Sequence, residues 1–348
     1  MTALDADTVR ERLAEIDDPH LGDDIVSLGL VRDISIDDQT VAITLGLGAP
    51  YSPAETALAG EVREAVSALG YDADLTARVD RGIDPEETVL PNVKNIIAVA
   101  SGKGGVGKST IATNLAVGLA DFGARVGLFD ADVYGPNIPQ MVGTNNQPRV
   151  TEDEELLPPE AYGVELMSME FLLDENAPAI WRGPMVHKVL TQLWEDVDWG
   201  RGGALDYMVV DLPPGTGDTQ LTMLQSIPVS GAVIVTTPQD VALNDAHRGM
   251  QMFGEHETPV LGVVENMSTF TCPDCGSTHD IFDSGGGEAF ADETGMPFLG
   301  SIPLDPEIRD GEQPAVLGDG ETADAVKNFV ASAADMQGVV HRRRESGQ

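Results

Sequence analysis

The chain has 348 residues, enough for two domains, and sets 58 acidic against 20 basic side chains for a formal net charge of −38. Phosphate contacts need a basic surface, so this balance argues against a nucleic acid as the main partner, and two cysteines leave no disulfide framework. Neither a signal-peptide start nor an apolar run of bilayer length is present, so the expectation is a soluble, cytoplasmic protein with no membrane partner. Self-repulsion on this scale opposes compaction at ordinary ionic strength. Molar salt shrinks the Debye length to about 3 Å and screens it. The composition therefore predicts a salt-adapted, halophilic protein.

Residues 1–80 read as a small α/β domain. Thr8 to Ile16 has helical spacing, and Leu28–Ile36 and Thr40–Leu47 alternate like strands about a turn at Asp37-Asp38-Gln39. Ser52-Pro53 is a helix start, a capping hydroxyl before a first-turn proline, and Gly70 is the matching stop. Ala73–Val79 completes the unit as a third strand. Residues 81–94, with Gly82, Pro85 and Pro91, read as a linker.

From residue 95 to 337 the pattern changes to short apolar runs separated by helices. The runs are Ile96–Ala100, Val126–Asp130, Val164–Met167, Met208–Leu212, Ala232–Thr236, Val260–Val264 and Phe298–Ile302. Runs without alternation suit strands buried on both faces, so the fold class is α/β, a mostly parallel doubly wound sheet. The last helix is expected over Thr322–Met336, and residues 338–348, with the basic run His341-Arg342-Arg343-Arg344, are expected to form a disordered tail.

Gly102-Lys103-Gly104-Gly105-Val106-Gly107-Lys108-Ser109-Thr110 fits the phosphate-binding pattern G-x-x-x-x-G-K-[ST], between a strand and a helix. Its glycines let backbone N–H groups converge on phosphate oxygens, and the helix N-terminus adds partial positive charge. Lys108 is placed to reach the β- and γ-phosphates and Ser109 to ligate Mg²⁺. Asp130-Ala131-Asp132 and Asp211-Leu212-Pro213-Pro214-Gly215 each end an apolar strand. Lys103 is unexplained by the basic pattern, yet only five of the basic residues are lysine and two of them lie in this loop.

The segment Lys103-Gly-Gly-Val-Gly-Lys-Ser109 resembles the deviant P-loop of the MinD/ParA/nitrogenase-iron-protein class of ATPases. The resemblance implies that Lys103 crosses a homodimer interface to the partner's nucleotide, as an arginine finger does. It further implies that Asp132 orients the attacking water, that Asp130 supports the loop or metal, that Asp211 with Ser109 holds Mg²⁺, and that Asn266 reads the adenine edge of ATP.

Thr271-Cys272-Pro273-Asp274-Cys275-Gly276 holds both cysteines. By itself a C-x-x-C turn is a redox disulfide, half a zinc site or half an iron–sulfur site. A tetrathiolate needs four sulfurs, which two copies on a symmetry axis would supply. The surrounding residues Phe270–Gly276, Ile281-Phe282 and Gly285-Gly286-Gly287-Glu288, with Thr237-Pro238-Gln239 and Glu265-Asn266-Met267-Ser268, resemble the Mrp/ApbC-type iron–sulfur cluster carriers over about residues 92–335. That resemblance implies a homodimer that binds a [4Fe–4S] cluster at Cys272 and Cys275, passes it to apo iron–sulfur proteins with cluster-assembly factors as partners, and hydrolyses ATP weakly. A partitioning or positioning ATPase, a nitrogenase-like reductase and a zinc-bridged dimer are the alternatives. Asp17–Gly22 and Ile25–Val31 resemble the small iron–sulfur-assembly domain that precedes many such ATPases. Ser52 stands in the place of that domain's cysteine, which makes the domain a docking or regulatory module.

Overall fold

The computed structural model describes residues 4–79, 89–133, 135–144, 146–151, 155–172, 189, 191, 193–272, 275–306, 308 and 313–347. The chain divides into two compact units, one of residues 1–82 with 334–348 and one of residues 83–333.

In the first unit, strands β1 (Val31–Asp37) and β2 (Thr40–Leu45) form a hairpin, and β3 (Asp72–Ala77) adds to β2 in parallel. The parallel pairing needs a crossover, which is the helix Pro53–Ala68. Ser52 starts that helix as expected, with its Oγ accepting the Glu55 N–H at 3.3 Å. Leu58, Val62 and Val66 at helical spacing bury against Val41, Ile43 and Leu45, with Val9 and Leu13 of the helix Ala6–Leu13 closing the core.

The expected disordered tail is not observed. The last helix runs from Glu321 to Ser346, past the predicted end at Met336. Its final turns are tied into the first unit by charge. Arg342 is only 1% exposed and sits 2.6 Å from Asp18 Oδ2 and 2.6 Å from Glu55 Oε1. The Glu55 carboxylate also accepts the N–H groups of Gly48 and Ala49, and Asp335 Oδ1 accepts the N–H of Ala54. A basic run therefore reads as a solvated tail in the sequence and as a buried counter-ion in the fold. The two acids it meets lie some three hundred residues earlier.

In the second unit, eight strands form one sheet in the order β15-β12-β11-β4-β10-β5-β9-β8. They are β4 (Val93–Ala100), β5 (Val126–Asp130), β8 (Glu160–Ala161), β9 (Val164–Ser168), β10 (Leu205–Asp211), β11 (Gly231–Thr236), β12 (Val260–Asn266) and β15 (Phe298–Ile302); β6 (Arg149–Val150) pairs with β7 (Leu156–Leu157) outside it. Every pairing in the large sheet is parallel except β8 with β9. The fold class is as read from the apolar runs. The first of these strands starts earlier than predicted, at Val93 within the expected linker, because Val93 and Asn95 pair with Leu205 and Tyr207 of β10. Residues 81–88 of that linker lie outside the described residues.

The central strands are buried on both faces, and Ile96, Phe129, Met208 and Val210 share one core with Trp194 and Phe253. Each such side chain contributes about 1.5–3 kcal/mol by leaving water. This rigid layer presents the carboxyl ends of β4, β5, β10 and β12 along one edge, where open parallel sheets bind ligands. Among the described residues, no helix is long and apolar enough to cross a membrane.

Replacing Arg342 by Met leaves Asp18 and Glu55 buried without their cation. Such a loss costs about 3–5 kcal/mol. Urea denaturation of the first unit's transition should show it, and a loss under about 1 kcal/mol would sink the claim that Arg342 holds the helix end.

Candidate functional site

The phosphate-binding sequence lies where its motif requires. β4 ends at Ala100, residues 101–107 turn, and the helix Lys108–Asp121 begins. Gly107 has φ +82°, and a Cβ there would stand 2.2 Å from Asn266 Nδ2, so only glycine fits. No side chain caps the helix, leaving its first-turn N–H groups for an anion. The Ser101 carbonyl accepts the Gly215 N–H at 3.0 Å, which straps the loop after β10 to the P-loop.

Parallel register sets the charged centre. Asp211 of β10 is paired with Asp130 of β5, so two carboxylates stand side by side at the sheet edge. Lys108 Nζ lies 2.6 Å from Asp211 Oδ1 and 3.9 Å from Asp132 Oδ2, and Ser109 Oγ donates to Asp211 Oδ2 at 2.5 Å. A hydroxyl and a carboxylate side by side are hard oxygen donors of the kind Mg²⁺ takes. Burial pushes the Asp211 carboxyl up, and the Lys108 ammonium opposes that shift.

Asp130 has a different set of partners. Its Oδ2 accepts the N–H groups of Asn137 and Ile138 at 3.1 and 3.2 Å and the Ser168 hydroxyl at 2.9 Å, and its Oδ1 accepts the Asp132 N–H at 3.3 Å. It thus organises the turn after β5 on which Asp132 sits. Burial first, and then repulsion from Asp211, push its carboxyl up to about 7. Ser168 was not singled out in the sequence, where a serine at the end of an apolar run carries no distinguishing mark.

Lys103 Nζ donates to Gln239 Oε1 at 3.3 Å. Gln239 belongs to the Thr237-Pro238-Gln239 turn after β11, which the sequence noted without assigning Gln239 a contact. Lys94 pairs with Asp206 and Lys327 donates to the Gly318 carbonyl, both away from the loop. Lys188 lies outside the described residues.

Beyond Gly107 opens a cavity of about 400 Å³ lined by Thr110, Asn114, Asn266, Met267, Leu304 and Pro314 among others. Asn266 Nδ2 donates to the Val106 carbonyl at 2.8 Å. That bond spends one donor and leaves the amide's second N–H and its oxygen.

The cysteines stand on a short hairpin of β13 (Phe270–Thr271) and β14 (Thr278–His279). Cys272 donates its N–H to the Ser277 carbonyl at 2.9 Å and accepts from the Gly276 N–H at 2.8 Å. Cys272 is half-buried and Cys275 exposed; Pro273 and Asp274 between them lie outside the described residues. Cys275 Sγ is 3.3 Å from Ser277 Oγ, and hydrogen bonding from Ser277 holds its thiol below the usual range. Among the described residues, no three His, Cys, Asp or Glu side chains gather to hold a metal ion. One chain therefore offers two thiols on an exposed tip.

The raised Asp130 carboxyl has a signed consequence. Its folded-state value lies above the unfolded one, so the folded chain holds the extra proton between about pH 4 and pH 7, and stability falls as pH rises through that window. Substituting Asn for Asp130 should flatten that fall in urea midpoints measured without nucleotide; an unchanged slope would assign the proton elsewhere.

The model of the iron–sulfur cluster assembly protein family matches residues 6–79. An iron–sulfur cluster carrier protein of Synechocystis is 44% identical over 354 residues, covering 97% of this chain and 98% of its own. The mouse iron–sulfur cluster transfer protein NUBPL is 46% identical, covering 78% of this chain and 84% of its own. Among solved structures, an ADP-bound nucleotide-binding protein of Archaeoglobus fulgidus is 37% identical with a TM-score of 0.57, covering 67% of this chain and 90% of its own. The MinD cell-division ATPase of Pyrococcus furiosus, at 23% identity and TM-score 0.50 over 68% of this chain and 97% of its own, shares the fold. The model described as NUBPL iron-transfer P-loop NTPase matches residues 92–335, most of the chain, and the chain belongs to that family.

Proposed function

We propose that this protein is an ATP-dependent carrier that holds a [4Fe–4S] cargo between two copies of itself and hands it to apo-proteins in the cytoplasm. The observation that carries the reading is the cysteine hairpin. Two thiols on an exposed tip are half of a tetrathiolate set, and no third ligand joins them among the described residues. A two-fold dimer completes the set with identical halves. A shared, exposed site also suits release better than a closed four-ligand cage within one chain.

The nucleotide residues take matching roles. Lys108, the loop N–H groups of residues 102–110 and the helix N-terminus bind the ATP phosphates, while Ser109 and Asp211 hold Mg²⁺, which supplies charge neutralisation at the phosphates when bound. Asp132 orients water, Asn266 meets the adenine, and Lys103 serves the partner's nucleotide. Hydrolysis in this scheme is slow and is tied to opening and closing of the dimer. The first unit serves as a docking module. Ser52 is fully buried and its hydroxyl caps a helix, so that position offers nothing to iron.

Anaerobic reconstitution with ferrous iron and sulfide should give a brown chromophore with about two irons per chain, the stoichiometry of a cluster ligated at a two-fold axis. A chain with both Cys272→Ser and Cys275→Ser should give none. Zinc at about half an equivalent per chain without acid-labile sulfide would favour the zinc-bridged dimer.

The charge of −38 bears on where this protein works. If it is salt-adapted, its melting temperature should climb when KCl is raised from 0.1 M to 2 M, where the Debye length drops from about 10 Å to near 2 Å. A flat or falling midpoint would refute the adaptation.

A further inference from the structure

The last two residues of β12 grip two different parts of the second unit. Glu265 and Asn266 are successive on an extended strand, so their side chains leave on opposite faces. Asn266 reaches the P-loop, donating to the Val106 carbonyl at 2.8 Å. Glu265 is 1% exposed, and its carboxylate accepts the Gly287 N–H at 2.6 Å and the Gly285 N–H at 3.3 Å. Those N–H groups open the helix Gly286–Thr294, which has no side-chain cap of its own nearby. A carboxylate at a helix N-terminus meets both orphan donors and the positive end of the dipole.

Two glycines, Gly286 and Gly287, let this helix start seat closely. A Cβ on Gly286 would lie 2.5 Å from the Pro238 carbonyl oxygen, and one on Gly287 would lie 2.8 Å from the Glu265 Cβ. The helix start is therefore pressed on one side against Glu265 and on the other against the turn whose Gln239 receives Lys103.

Between these anchors runs the segment 267–284 that carries Cys272 and Cys275. It leaves β12 at Met267, which has φ +58°, and is held to β15 and the loop after it by Ser268 N–H to the Ile302 carbonyl and Leu304 N–H to the Thr269 carbonyl. It returns at Gly285, on the Glu265 carboxylate. Both ends of the cysteine segment are thus fixed to one strand end that also touches the phosphate-binding loop.

We propose that Glu265 is the positioning residue through which occupation of the P-loop is felt at the cysteine hairpin. A phosphate that shifts the Val106 carbonyl shifts Asn266. Glu265 follows, because the two share one rigid strand end, and with it move the two N–H groups at which the cysteine segment returns. The inference rests on the reading that the loop binds ATP and that the cysteines hold the cargo, and it assigns the connection between them to a residue that touches neither.

The test reads the thiols directly, on full-length protein without cargo. Iodoacetamide labelling rates at Cys272 and Cys275 are measured by mass spectrometry with and without a magnesium salt of a non-hydrolysable ATP analogue. In the wild type the nucleotide should change the rates about fivefold or more, within the usual range of coupling between sites. In Glu265→Gln, where an amide donor replaces one of the two acceptors, the ratio should collapse toward one while the analogue's Kd stays within about twofold, since the phosphate site is untouched. Gly287→Ala, which pushes on the same carboxylate from the helix side, should do the same. Wild-type rates indifferent to nucleotide, or variants that keep the full wild-type ratio with analogue bound, would overturn the proposal. Because labelling needs no cluster, failure of reconstitution with an intact labelling response would strike the carrier reading alone.

Discussion

Two carboxylates held in register at a buried sheet edge are the constraint from which the site follows. Asp130 and Asp211 end adjacent parallel strands, and both are fully buried. Carboxylates so placed are expensive unless cations and donors converge on them. Lys108 and Ser109 converge on Asp211, and three backbone N–H groups and Ser168 converge on Asp130. The glycine loop, the helix behind it and the turn after β5 are arranged by these bonds. A buried ion pair is a weak source of stability compared with an apolar pair of the same size.

The same edge extends to the cysteines by short steps. Asn266 contacts the P-loop, Glu265 holds the base of the cysteine segment, and Gln239 receives Lys103. All three lie at or just past the carboxyl ends of β11, which neighbours the P-loop strand, and of β12, one strand further out. A parallel sheet puts every such end on one side, so groups far apart in the chain become neighbours without any long loop between them. The hairpin itself is small, with Cys272 half-buried and Cys275 exposed.

The first unit shows the opposite use of charge. Arg342 is paired with both Asp18 and Glu55 within that unit. Burial pushes Glu55 up, with the arginine and two backbone N–H groups opposing that shift. Removing one member leaves the others uncompensated, which is how a polar cluster comes to specify one way of joining segments. Ser52 lies under the same region with its hydroxyl committed to the helix cap.

Local chemistry was legible in the chain by itself. The P-loop announced itself because phosphate binding needs glycines and a lysine at fixed spacing next to a helix start, and the buried strands because a parallel sheet covered on both faces leaves continuous apolar runs. The hairpin Asp37-Asp38-Gln39, the helix at Ser52-Pro53 and the lone pair of cysteines are of the same kind, each set by neighbours within a few residues. What depended on distant partners was decided only by the tertiary structure. The arginines near the C-terminus read as a solvated tail, since nothing local reveals that Asp18 and Glu55 wait for Arg342. Ser168 is an ordinary residue at a strand end, and Gln239 and Glu265 stand only as parts of family motifs without assigned contacts, until parallel register and packing bring them against Asp130, Lys103 and the glycines before residue 288. A side chain's hydrogen-bond capacity is fixed by its type, but which group fills it is settled by contacts that only the folded chain creates.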